Sequence, residues 1–112
     1  MDIETFRAYC LSLPGTTEDM KWGDHLCFLV HEKIYVITSL EDTSASFKCS
    51  PEDFNELVAR DGIMQAPHLA KNQWVKIHRL DVLNDKELKE RIADSRALII
   101  SKLPKKYQSL YL

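Results

Sequence analysis

The stretch "PHLAKNQWVKIH", residues 67–78, decides how the rest of the chain is read. From Trp74 onward it alternates as an extended strand does: Val75 and Ile77 point one way, and Trp74, Lys76 and His78 point the other. One side is fit for burial, while the opposite side joins a large aromatic to a cation and an imidazole. Such a strand belongs in a sheet that is covered on one face and open to water on the other. The same parity governs "ASFKC" (45–49), with Phe47 and Cys49 inward and Ser46 and Lys48 outward.

The flanking segments supply the cover. Asp2 caps a first helix in which Ile3, Phe6, Cys10 and Leu13 share a face, and Pro14-Gly15 stops it. The polar segment "TTEDMKWGD" reads as a connection, with Gly23 in a turn. "HLCFLV" and "KIYVITSL", parted by His31-Glu32, form a hairpin, and "SFKC" follows as a third strand. Ser50, Pro51, Glu52 and Asp53 open a second helix with Phe54, Leu57 and Val58 on its apolar side, and Gly62 ends it. "GIMQAP" and "QWVKIHRL" give two more strands. Asn84 with Glu87 starts a third helix carrying Leu88, Ile92, Ile99 and Leu103, and Pro104 marks its end.

The order is therefore α-β-β-β-α-β-β-α. It predicts an α+β fold: a two-layer α/β sandwich with a single five-stranded antiparallel sheet and three helices mainly on one face. Phe6, Leu13, Phe28, Phe47, Phe54, Leu57, Ile77, Ile92 and Ile99 are the expected core. At 112 residues the chain suits one domain, residues 1–112, with one hydrophobic core.

Composition narrows the function. The chain is 45% hydrophobic and 29% charged, which is that of an ordinary globular protein rather than a disordered one. No apolar run approaches the roughly 20 residues of a membrane span, and "MDIETFRAYC" lacks the features of a signal peptide. A soluble, cytoplasmic protein with no membrane role is expected. The odd cysteines, Cys10, Cys27 and Cys49, are widely spaced in apolar surroundings and read as buried free thiols. No C-x-x-C, H-E-x-x-H, G-x-S-x-G or phosphate-loop motif occurs, and the four histidines show no ligand spacing. The expectation is a protein that is not an enzyme, with no catalytic residues, no metal and no cofactor.

The net charge of −2 is unevenly spread. Residues 1–62 hold 5 basic and 12 acidic side chains, whereas residues 63–112 hold 10 basic and 5 acidic. That asymmetry favours an anionic partner for the second half. Trp74 beside Lys48 and Lys76 on an open sheet face supplies a stacking platform among positive charges, suited to bases or other flat anions. A Trp there also serves as plain packing on lysine stems, or as an anchor for a protein partner. Lys102, Lys105 and Lys106 face the negative end of the third helix, or grip phosphates.

Six segments carry a family resemblance that spans nearly the whole chain: "YCLSLPGTTED" (9–19), "WGDHLCFLV" (22–30), "KIYVITSL" (33–40), "FKCSPEDF" (47–54), "KNQW" (71–74) and "SKLPKK" (101–106). In order and spacing the chain resembles the MmcQ/YjbR family, small bacterial proteins often labelled DNA-binding. The resemblance implies an antiparallel sheet with helices on one side, similar to secretion-chaperone-like domains. It brings no catalytic residues. Its motif positions mark Trp22, Gly23, Asp24, Lys48, Lys71, Asn72, Trp74 and the tail lysines as a shared surface. With Lys76 and His78 from the strand parity, these are the candidate contacts for weak, sequence-nonspecific binding of DNA or another anionic ligand. The alternative is a protein-interaction module, dimeric or otherwise, since the sequence does not give an oligomeric state.

Overall fold

The computed structural model describes residues 1–111. Its elements are α1 (Ile3–Ser12), β1 (Thr16–Lys21), β2 (His25–Val30), β3 (Lys33–Ser39), β4 (Ala45–Lys48), α2 (Pro51–Val58), β5 (Ile63–Gln65), β6 (Trp74–Ile77), α3 (Asp85–Ser101) and α4 (Lys105–Gln108), then a 3₁₀ turn at Ser109–Tyr111. The strands form one antiparallel sheet in the order β1-β2-β3-β4-β6-β5.

The α+β architecture and the antiparallel sheet are as expected, but the sheet has six strands rather than five. The additional one is β1, in a segment whose polar composition reads as a connection. As an edge strand it pairs only with β2, from Thr16 opposite Val30 to Lys21 opposite His25. It buries little, so no apolar alternation is required of it. On its helix side, Glu18 meets Arg7 of α1, with Nε 2.8 Å from Oε2, and Met20 is exposed. Backbone pairing, rather than burial, makes this strand.

The helices number four rather than three, because the chain turns again after Pro104 to form the single turn of α4. The three caps read from sequence are in place: Asp2 accepts from the Thr5 N–H, Ser50 from Asp53 and Asn84 from Glu87. Each such cap is worth about 1 kcal/mol. Helices α1, α2 and α3 cover one face, where Phe6, Phe54, Leu57, Leu88 and Ile92 join Phe28, Val36, Phe47, Val75 and Ile77 in one cluster. Leu13 and Ile99 are half-buried at its margin instead of central. An ion-pair network ties α2 to α3: Arg91, mostly buried, reaches Asp53 at 3.2 Å and both Glu56 and Glu87 at 3.1 Å.

One irregularity shapes the middle of the sheet. Between β2 and β3 the register shifts after Phe28, leaving Tyr35 as an extra residue. Its fully buried ring turns into the core, with its hydroxyl 2.8 Å from Thr16 Oγ1. Beyond this point β3 and β4 no longer pair directly. Ser95 of α3 bridges them, accepting from the Lys48 N–H at 2.8 Å and donating to the Tyr35 carbonyl at 2.6 Å. A helix hydroxyl thereby replaces a missing rung of the ladder.

Candidate functional site

The face away from the helices is set by strand parity. One rung crosses all six strands: Asp19, Cys27, Ile37, Ser46, Lys76 and Met64 stand opposite one another in turn. Beside it on one side lies the cross-strand pair Lys48 and Trp74. On the other side lies the pair His25 and Ser39. The open face thus has a region around Lys48 and Trp74, where Lys48 also borders a cleft toward α3, and a concave region beginning at Ile37.

The concave region is a cleft of about 470 Å³, within the size range of small-ligand pockets. Ile37, Ser39, Ser44, Ser46 and Lys76 line it from the sheet, Trp22 and His25 from the β1–β2 hairpin, and Pro67, His68 and Leu69 from the loop before β6. The hairpin tip holds Trp22 and Gly23 at φ 53° and 84°, the left-handed region that glycine adopts most readily. This turn leaves the Trp22 indole 68% exposed. Its ring meets His25 edge-on, 6.0 Å between centroids. Asp24 Oδ1 lies 2.8 Å from His25 Nδ1, yet the nitrogen has no aligned hydrogen-bond partner. The Asp24 carbonyl accepts from the Leu40 N–H at 2.9 Å, which ties the hairpin to the end of β3.

The opposite wall is held by backbone bonds, from Ala66 N–H to the Trp74 carbonyl at 3.0 Å and from Leu69 N–H to the Ala66 carbonyl at 3.4 Å, and by one side chain. Gln65 donates from its amide to the carbonyls of Ala66 and Leu69 and accepts from the Asn72 N–H at 3.0 Å. It closes the loop on itself although His68 and Asn72 both have positive φ. Charge within the cleft is sparse. Lys76 has no ion-pair partner within 4.0 Å among the described residues. Hydrogen bonds from Ser44 hold the Asp42 carboxyl below its ordinary range, with Lys76 a smaller contributor.

The structure brings some of the candidate residues together and separates others. Lys48, Trp74 and Lys76 share the open face, with Trp74 half-buried. Lys71 and Asn72 lie in the exposed loop before β6, and His78 lies just past that strand, also exposed. Trp22 and Asp24 stand at the cleft. The tail lysines stand apart: Lys102 follows α3 and Lys105 and Lys106 lie in α4. Lys106 sits over the Tyr107 ring, which packs on His31 at the β2–β3 turn. That turn and Trp22 are at opposite ends of β2, a six-residue strand about 20 Å long. The tail lysines therefore stand apart from the hairpin tip, while Ser101, next to Lys102, lines with Lys48 a second cleft beside α3.

Sequence reasoning passed over several cleft residues. Ile37 and Ser39 follow from the parity of β3 and His25 from that of β2, so a signal for them existed. Ser44, Pro67, His68 and Leu69 depend on how loops fold back, which carries no periodic signal.

A model of the YjbR family matches residues 11–98. Among solved structures, the crystal structure of Deinococcus radiodurans protein DR2400, with the family domain DUF419, superposes with a TM-score of 0.88 at 26% identity. That match covers 98% of this chain and 88% of the other. A Pseudomonas syringae protein is similar in its crystal structure, with TM-score 0.73, 25% identity, and coverage of 88% of this chain and 98% of that one. A solution structure of a Pseudomonas syringae protein gives a TM-score of 0.68, also at 25% identity, covering 88% of this chain and 92% of that one. No curated protein matches the chain.

Proposed function

The chain belongs to the YjbR family, and from that premise we propose a non-catalytic binding protein that holds single-stranded nucleic acid weakly on its open sheet face. The observation that supports the reading is the cross-strand pair on that face. Lys48 stands opposite Trp74, and Lys76 lies one alternate position along β6. A half-exposed indole beside two cations gives a base a surface to stack on and its phosphates a counter-charge. Lys71, in the loop leading to Trp74, extends the same track.

Weak binding follows from the charge of the surroundings. Asp19 lies on the same rung, Asp24 at the cleft and Asp42 near Lys76, and each opposes a polyanion. Affinity then depends on few phosphate contacts and falls steeply with salt. The non-catalytic part of the reading draws on the thiols. Burial pushes the Cys10 thiol up to about 12 and Cys49 to about 11, and raises Cys27 as well, which makes all three poor nucleophiles.

Fluorescence titration with single- and double-stranded DNA at low and moderate salt tests the proposal. Binding that prefers single strands, and that weakens when Trp74 becomes Ala, is the expected result. Absence of binding at low salt would sink it. A protein-interaction role through the sheet edge has less support, since the β1 edge carries Glu18, Asp19 and Lys21, charges that discourage strand addition.

A further inference from the structure

We propose that the cleft between Trp22 and the 67–69 loop is a small-molecule site in its own right, for a ligand with one flat aromatic ring and one anionic group. This goes beyond the nucleic-acid reading and does not rest on it. The Lys48–Trp74 pair lies beyond the central rung, and the cleft extends from that rung the other way, so the two share only Lys76.

The walls argue for the ring. Trp22 and His25 meet edge-on at an interplanar angle of 79°, so together they form a corner. A flat ring can stack on one of them while its edge meets the other. Pro67 and Leu69 face that corner with aliphatic surface, and Ile37 supplies an apolar floor. A slot bounded by aromatic rings on one side and aliphatic side chains on the other suits a planar occupant better than a branched one.

The ends of the cleft argue for the anion and its placement. Asp24 lies beside His25 at the Trp22 end, where it repels negative charge. Lys76 lies at the other end, its ammonium without an ion-pair partner within 4.0 Å among the described residues though Asp42 is close enough to feel its charge, and Ser46 stands directly across from it. The separation between the two ends follows from the sheet. His25, at the ring corner on β2, and Lys76 on β6 are three strands apart, about 14 Å at the usual interstrand spacing. A ring at the Trp22 corner therefore meets the Lys76 ammonium when its acidic group projects along the sheet and the lysine chain reaches back toward it, whereas a bare inorganic anion leaves the apolar half unfilled. The latch made by Gln65 keeps the far wall in place without the ligand.

The acidic group is a phosphate or a carboxylate, and the test separates them. The chain holds two tryptophans, so a Trp74→Phe protein reports on Trp22 alone. It is titrated with adenosine and uridine 5′-monophosphates as the phosphate arm and with nicotinate and benzoate as the carboxylate arm. Adenosine and nicotinamide serve as neutral counterparts. Calorimetry on the unaltered protein provides the same constants should the variant fold poorly. The expected result is saturable binding in at least one arm, with the neutral counterpart roughly tenfold weaker. Lys76→Met is expected to abolish that preference. Trp22→Ala, at an exposed turn, should weaken every probe by roughly tenfold while leaving the melting temperature unchanged. Three outcomes overturn the proposal: no saturation by any probe at millimolar concentration, equal binding of neutral and anionic probes, or an anion preference that survives Lys76→Met. Single-stranded DNA binding measured on Trp22→Ala keeps the two readings apart, because it should persist if the Lys48–Trp74 pair alone serves the polymer.

Discussion

On the helix side of the sheet, two complete rungs run across all six strands. One passes through Phe28, Val36, Phe47 and Val75, and the other through Leu26, Thr38, Ala45 and Ile77. Their central members are buried beneath three helices. On the opposite side, a single rung mixes Asp19, Cys27, Ile37, Ser46, Lys76 and Met64, where Cys27 is buried and Met64 exposed. The same strands make both faces, and adjacent residues serve opposite ends. The helix face holds apolar volume that the fold needs. Apart from the buried Cys27, the open face holds polar and partly exposed groups, which marks it as the place where selection for binding has room to act.

That contrast can be broken most forcefully from the helix side. Phe47→Ala or Ile77→Ala empties a fully buried site and should cost about 2–5 kcal/mol in urea unfolding. A loss well under that range would show the face to be less tightly packed than its burial indicates. Ser95→Ala comes next, because it strips the partners from the Lys48 N–H and the Tyr35 carbonyl together. About 1–3 kcal/mol of stability should go, with faster amide exchange at Lys48 as the local signature.

The open face should behave in the reverse manner. Trp74→Ala should weaken single-stranded DNA by about 1–3 kcal/mol while costing much less stability than Phe47→Ala. Lys48→Ala and Lys76→Ala should each reduce the salt slope of that binding by about one, with unfolding nearly unchanged. If these changes moved stability rather than binding, the two faces would not divide labour as described.

The smallest expected effect lies between α2 and α3, away from both faces. A hydrogen bond from Arg60 holds the Glu87 carboxyl below its ordinary value of 4.5. With its folded value depressed, Glu87 contributes stability above about pH 4.5, and that contribution is lost as pH falls through the folded value. Glu87→Gln should therefore flatten the acid limb of a stability–pH curve while changing neither binding nor the core.

Much of this arrangement was legible in the sequence, and the parts that were not share a physical cause. Alternation in "WVKI" and "SFK" placed both faces because burial on one side forces a two-residue period. The caps at Asp2, Ser50 and Asn84 were readable because they depend on local bonds. Strand β1 was not readable: an edge strand whose helix side carries Glu18 and an exposed Met20 has no period to detect. Trp22 and Asp24 were singled out as motif positions, but nothing local showed that the turn brings them opposite Leu69. Nor did anything show that the tail lysines end beside His31, at the far end of β2. These are facts of tertiary path, and only folding reveals them.

Gln65 has a kinetic consequence. Because one amide fixes the loop from Ala66 to Asn72 before any ligand arrives, entry into the cleft needs no segment to order itself first. Association should then proceed in one phase at a rate governed by orientation, and ligands of different strength should differ chiefly in how long they stay. Gln65→Ala would change this character: the wall would have to be reassembled at each encounter, and arrival itself would slow.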